Sequence, residues 1–188
     1  MAKFKNYTQH AASFCPNLPS IVFIRAMLSS SREYFTRTQA WTEDVVVNIV
    51  DGVSEYEIPE PWECALISTI PEVKVNGVCL TPIDRTAFNE SNGSPEYYST
   101  PSKTKIAFHP MPNKAATANI KLVLKPSIST NYLPDELFDE HFEGLIAGCI
   151  FQVKRMVGTD WYDPKAAAVH YAEFEAFIDQ KRIEIIRG

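Results

Sequence analysis

Apolar positions follow a helical period at both ends of this chain and a strand period in between. In the last block Phe138, Phe142, Leu145, Cys149, Val153 and Met156 recur every three or four residues, while Asp139, Glu140 and Glu143 fall mostly elsewhere. That spacing predicts a helix with one buried face. Pro134 suits its first turn, where a missing N–H costs nothing, and Asp135 and Glu136 set negative charge against the positive helix end. Gly158 is placed to end the helix, and Asp163-Pro164 to launch a second one. There Ala167, Tyr171, Phe174, Ile178 and Ile185 form a matching stripe, with Lys181, Arg182 and Arg187 near the negative end of the dipole. The short turn between them implies an antiparallel hairpin.

Residues 1–17 lack periodicity and read as an extended arm. A helix is predicted over 18–38, with Asn17 or Ser20 as cap, Pro19 in the first turn, and Ile21, Ile24, Leu28, Ser31 and Phe35 on one side. Ser29, Ser30 and Ser31 interrupt its stripe; they either admit a neighbouring backbone or form a solvated face. From Trp41 the period shortens to about two, with strands expected at 45–50, 56–58, 65–70, 97–99, 105–108 and 120–124. Asn76-Gly77, between two alternating runs, is the strongest short hairpin signature, because a type I′ turn needs positive φ at both central residues. A helical turn over 82–88 and a polar loop over 89–95 complete the middle. The expected fold is α+β: a three-helix bundle, one N-terminal helix plus a C-terminal helical hairpin, carrying an inserted small antiparallel β-sheet or sandwich. The chain is read as one domain, with 1–40 and 130–188 forming the bundle and 41–126 the β subdomain.

A hydrophobic content of 45% over 188 residues suffices for a sizeable core. The net charge of −5 is unevenly placed: residues 134–188 hold 11 Asp plus Glu against 6 Lys plus Arg, whereas residues 1–133 hold 12 of each. An acidic hairpin argues against a protein that grips DNA, which needs cations to displace phosphate counterions. Cys15, Cys64, Cys79 and Cys149 show no CxxC pair or zinc spacing and read as reduced, mostly packed thiols. No apolar h-region opens the chain, and no apolar run is long enough to span a bilayer, so the protein is expected to be soluble and made in the cytoplasm.

Little chemistry is visible. The seven glycines form neither GxGxxG nor a Walker loop, and no serine or cysteine sits in a nucleophile motif. The cluster Asp135, Glu136, Asp139, Glu140, His141 and Glu143 lacks Glu-x-x-His, because Phe138 precedes His141 by three and Ala167 precedes His170 by three. No metal or cofactor is expected, and the cluster reads as a solvated face. Gly144 and Gly148 form GxxxG, a spacing for close backbone approach. Trp161 and Tyr162 either plug the bundle end or anchor a protein contact, and Trp41 and Trp62 carry the same two readings.

Cys15-Pro16-x-x-Pro19, Arg25-Ala26 and Glu33-x-Phe35-x-x-Thr38-x-x-Trp41 together resemble the first helix of head-to-tail adaptor proteins of tailed bacteriophages. The order continues in Gly52-Val53-x-x-Tyr56, Val75-Asn76-Gly77, Leu133-Pro134-Asp135-x-Leu137 and a tryptophan before Asp163-Pro164. The resemblance spans nearly the whole chain and rests on order, since no single motif is diagnostic. The serines at 29–31 depart from the bulkier residues expected there. What it implies is a non-enzymatic virion protein of the neck between head and tail, forming a ring of about twelve copies beneath the portal. It would extend the DNA channel and dock the next tail or nozzle protein. Portal or subunit contacts would then involve Trp41, Trp161, Tyr162 and the end of the last helix, Ile183, Ile185, Ile186 and Arg187. Asp135, Glu136, Asp139, Glu140 and Glu143 would face the channel, where negative charge repels passing double-stranded DNA and keeps it unbound. Another small connector, such as a stopper or tail-completion protein, is the nearest alternative. A hydrolase with paired carboxylates at Glu140 and Glu143 is the alternative from a different class.

Overall fold

A computed structural model describes residues 1–60, 62–84 and 91–187. Contacts divide the chain into two compact units: Met1–Trp41 with Lys125–Gly188, and Thr42–Leu124.

The first unit is helical. It opens with strand β1 (Ala2–Lys3), a 3-10 turn over Phe4–Tyr7 and helix α1 (Thr8–Ala12), followed by α2 (Ser20–Thr38). After a short strand, here numbered β12 (Tyr132–Leu133), come α3 (Asp135–Lys154) and α4 (Pro164–Arg187). Strand β1 pairs antiparallel with β12, Ala2 opposite Leu133. The hairpin starts follow local chemistry. Pro134 precedes α3 with Asp135 and Glu136 in the first turn, and Asp163 Oδ1 accepts the N–H groups of Lys165 and Ala166 at 3.1 and 3.0 Å. Gly158, at φ +82°, lies in the turn rather than at the helix end, and Met156 falls beyond α3.

The core of this unit joins Phe4, Phe23, Met27, Phe35, Trp41, Phe138, Leu145, Phe174 and Ile178, all buried. The helices approach closely through small residues. A Cβ at Gly148 would lie 2.7 Å from Phe174 Cε2 and 2.8 Å from Ser30 Cβ; one at Gly144 would lie 3.0 Å from Tyr34 Cε2. Ser30 and Ser31 are fully buried, and the Ser30 hydroxyl bonds the carbonyls of Met27 and Leu145 at 3.0 and 3.1 Å. The serine run is therefore a helix contact at two of its three positions, with Ser29 exposed. Burial is tolerable there because backbone carbonyls satisfy the hydroxyls. The buried face of α2 is consequently rotated from the predicted one: Phe23, Ala26, Met27, Ser30, Ser31, Tyr34, Phe35 and Thr38 point inward, and Ile21 is 57% exposed. Neither predicted cap serves α2; Asn17 sits at φ +57° and Ser20 is already helical.

The second unit is a strand domain. One four-stranded sheet has the order β2 (Thr42–Ile49), β11 (Ala116–Pro126), β4 (Ala65–Val75), β5 (Val78–Cys79). Another runs β3 (Glu55–Glu57), β9 (Lys105–His109), β8 (Tyr97–Ser102), β6 (Thr81–Pro82). Two short strands, β7 (Asn92–Gly93) and β10 (Met111–Pro112), form a further pair. Period-two burial is plain in β2, where Val45, Val47 and Ile49 are buried and Val46 is 56% exposed. Asn76 and Gly77, at φ +49° and +83°, join β4 to β5 as the hairpin motif requires.

The class is α+β, but the expected three-helix bundle with one small antiparallel insert is overturned. The described residues hold four α-helices and twelve strands in four sheets. Two physical causes account for the difference. The arm over 1–17 is structured by isolated buried anchors, Ala2, Phe4, Ala11 and Cys15, too sparse to show a period. Two of the pairings, β6 with β8 and β7 with β10, are parallel and two residues long, too brief for alternation to reveal. Of the helical turn expected over 82–88, Pro82 is a strand residue and 85–88 lie outside the described residues, as do 89 and 90 of the expected loop.

Candidate functional site

The five acids proposed from sequence fall on the first half of α3, and all are exposed. They are not equivalent. Asp135 pairs with the Met1 amino group, and Glu140 Oε1 takes Lys181 Nζ of α4 at 2.5 Å, which holds the Glu140 carboxyl below its ordinary range. Glu136, Asp139 and Glu143 make no ion pair among the described residues.

Behind these acids, Tyr34, Glu140, His141, Glu143, Phe177 and Lys181 are among the residues lining an open groove of about 380 Å³. His141 is buried, with Nδ1 3.3 Å from the Tyr34 hydroxyl and its ring edge-on to Phe35, and burial lowers its pKa. Tyr34 is pushed up to about 12, by burial first and then by Glu184 and Glu140. Glu140 and Glu143 thus share the groove, but Glu140 is committed to Lys181. No group of three potential metal ligands is assembled among the described residues. His141 belongs to the acid cluster by sequence position but not by exposure. The only available signal was its position three residues after Phe138 on the apolar stripe.

The aromatic candidates separate. Trp41 is 1% exposed, packed edge-on to Phe35 at 5.8 Å, and its indole N–H has no hydrogen-bond partner among the described residues. It is a core residue, with no surface to offer. Trp161 is half-buried and donates its indole N–H to Pro16 O at 2.8 Å, pinning the N-terminal arm to the α3–α4 turn. Tyr162 is 46% exposed and lines a second, largely apolar surface groove with Phe151, Arg155, Val157, Pro164 and Tyr171. Trp62, in the strand unit, donates to Glu43 Oε1 at 2.7 Å.

Helix α4 is buried only at Ala167, Phe174 and Ile178. Tyr171 and Ile185, predicted on its inner stripe, are exposed, and so are Ile183, Ile186 and Arg187. Three exposed isoleucines within four residues make an apolar helix tip. Gly188 lies outside the described residues. Arg37 of α2 binds Glu175 of α4 through two hydrogen bonds of 2.5 and 2.6 Å, a pairing that sequence spacing could not suggest. No helix of the described residues is long and apolar enough to cross a membrane.

The family described as SU10 adaptor protein matches residues 3–187, and the chain belongs to that family. No curated protein matches the chain.

Proposed function

We propose that this member of the SU10 adaptor family, a structural adaptor of a phage virion, assembles as a homo-oligomeric ring against the portal protein, in the neck between head and tail. There it extends the DNA channel and presents a surface to the next tail or nozzle protein. The observation that carries the reading is the exposed tip of α4, where Ile183, Ile185 and Ile186 stand free of the fold with Arg187 beside them. Exposed apolar clusters rimmed by charge mark protein contacts. Trp161 and Tyr162 would add a contact at the opposite end of the helix. Trp41 would serve only by holding the core on which these surfaces rest.

Glu136, Asp139 and Glu143 remain the acids best placed to face passing DNA, since Asp135 and Glu140 are paired. Purified protein is expected to give no mobility shift with double-stranded DNA at about 50 mM salt, where phosphate-binding proteins hold best; a tight shift there would contradict a channel wall that lets DNA slide. Mixing the protein with portal rings tests the docking itself. Wild type should form a complex of defined mass, and an Ile183→Asp, Ile186→Asp variant should not, while keeping its helical circular dichroism.

A further inference from the structure

The outward side of α4 carries a pattern that the monomer does not use. Val169, Ala172, Ala176, Asp179, Ile183 and Ile186 follow one another at alternating steps of three and four residues, and all six are exposed. That is the 3.5-residue seam of a coiled coil. It lies on the side of the helix largely turned away from Ala167, Phe174 and Ile178, the residues packed against the rest of the unit. Ala172 and Ala176 favour the helix by themselves, but Val169, Ile183 and Ile186 gain nothing from solvent, whereas a facing helix would bury them.

We propose that this face is a self-association surface, on which a second copy of the chain lays its own α4 antiparallel to the first. Charge decides the direction. The seam is flanked by Glu173 and Glu175 in its first half and by Arg182 and Arg187 in its second. An antiparallel pair that sets Val169 against Ile186 of the partner subunit brings Glu175 near the level of Arg182 of the partner subunit and keeps the arginines of the two copies apart. A parallel, in-register pair would instead set Arg182 beside Arg187 of the partner subunit, a like-charge contact. Glu175 already binds Arg37 of its own chain at 2.5 Å, so direction rests chiefly on keeping the arginines of the two copies apart.

Size also fits. Antiparallel packing puts Val169 against Ile186 of the partner subunit and the small Ala172 against Ile183 of the partner subunit, so large side chains meet small ones or share the ends. Ala176 meets Asp179 of the partner subunit near the middle. The carboxylate there, 66% exposed in the monomer with Arg182 at 4.0 Å, would be partly desolvated. It weakens the seam and keeps the association reversible. A two-fold contact of this kind closes on itself and gives a dimer, not a ring. The dimer belongs to the free protein. Because it covers Ile183 and Ile186, it must open before those residues meet another partner, but it does not depend on the portal reading.

Sedimentation velocity of the free protein over a range of concentrations tests this. Wild type should pass from monomer to dimer, Ile183→Glu should weaken the dimer by about tenfold or more, and Asp179→Leu should tighten it by a similar factor, each tenfold step being about 1.4 kcal/mol. Direction is tested in a Cys79→Ser background under air oxidation, where a mixture of Val169→Cys and Ile186→Cys proteins should cross-link between chains and neither alone should. The proposal is overturned if wild type and Asp179→Leu both stay monomeric at every concentration, if Ile183→Glu dimerises as wild type does, or if Ile186→Cys alone cross-links as readily as the mixture.

Discussion

The helical unit and the strand unit divide the chain's charge in a way that reading along the chain inverts. Along the chain the excess negative charge sits on the C-terminal hairpin. Counted by folded unit, Met1–Trp41 with Lys125–Gly188 holds 12 Lys plus Arg against 12 Asp plus Glu, and Thr42–Leu124 holds 6 against 11. The helical unit is neutral and the strand unit carries the −5. The cause is that the N-terminal segment brings five cations and one acid, and Lys125 adds another cation. Arg37 on Glu175 is the visible instance. The lesson is that charge belongs to a surface, and a surface is assembled from distant segments. Neither unit is net positive, as one that grips DNA would be.

The same two units use glycine for opposite reasons, and this gives the largest expected effects. In the helical unit Gly148 supplies space, so Gly148→Leu should unfold or severely destabilise it, and Gly148→Ala should cost about 1–3 kcal/mol from overpacking of Phe174 and Ser30. In the strand unit Gly77 supplies backbone freedom: its φ is +83° and nothing lies within 4 Å of an added Cβ. There Gly77→Ala should cost about 1–2 kcal/mol, and Gly77→Asn less. Chemical denaturation would check both. If Gly148→Ala were neutral, close helix approach would not be what holds α3 against α2 and α4.

A smaller effect is expected from the ion pair between α2 and α4. Arg37→Ala should cost about 0.5–1 kcal/mol and lose part of that difference at high salt, because the pair is only partly buried. An unchanged midpoint would mean the pair positions the helices without stabilising them.

The smallest effect should appear in pH dependence. Burial lowers the pKa of both His141 in the helical unit and His109 in the strand unit. Above the ordinary histidine pKa of about 6.5, neither the folded nor the unfolded chain is protonated there. As pH falls below it, the unfolded chain takes up protons that the folded one refuses, so stability declines until the folded pKa is passed. His141→Gln should flatten that decline for the helical unit and leave the His109 contribution in place. Urea midpoints from pH 7.5 to 5 would show it; an identical slope in the variant would remove His141 as a cause.

Much of the helical hairpin was legible because its signals are local: Pro134 with two acids at one start, Asp163-Pro164 at the other, and Gly144 with Gly148 as a close-packing pair. The Asn76-Gly77 turn was legible for the same reason. What escaped depends on distant partners. Of the two readings open for the serine run, close approach holds at Ser30, whose hydroxyl is satisfied by Leu145 O over one hundred positions away in the chain, while Ile21 is exposed. The arm over 1–17 owes its structure to Phe4 and Tyr7 packing on Phe138, and Tyr7 on Phe142. Of the candidate contacts, the exposed isoleucines of α4 kept an open surface, whereas Trp41 lost it to the core, a distinction that residue type alone does not carry.

The central claim is that a neutral helical unit ending in an apolar tip docks this adaptor on the portal as several copies. Native mass spectrometry of purified portal rings mixed with excess protein tests it most directly. The account predicts one dominant species, a portal ring bearing a fixed multiple of the 21.2 kDa chain, that disappears with the Ile183→Asp, Ile186→Asp variant. Portal rings that stay bare at every ratio, or that load the variant as fully as wild type, would contradict it.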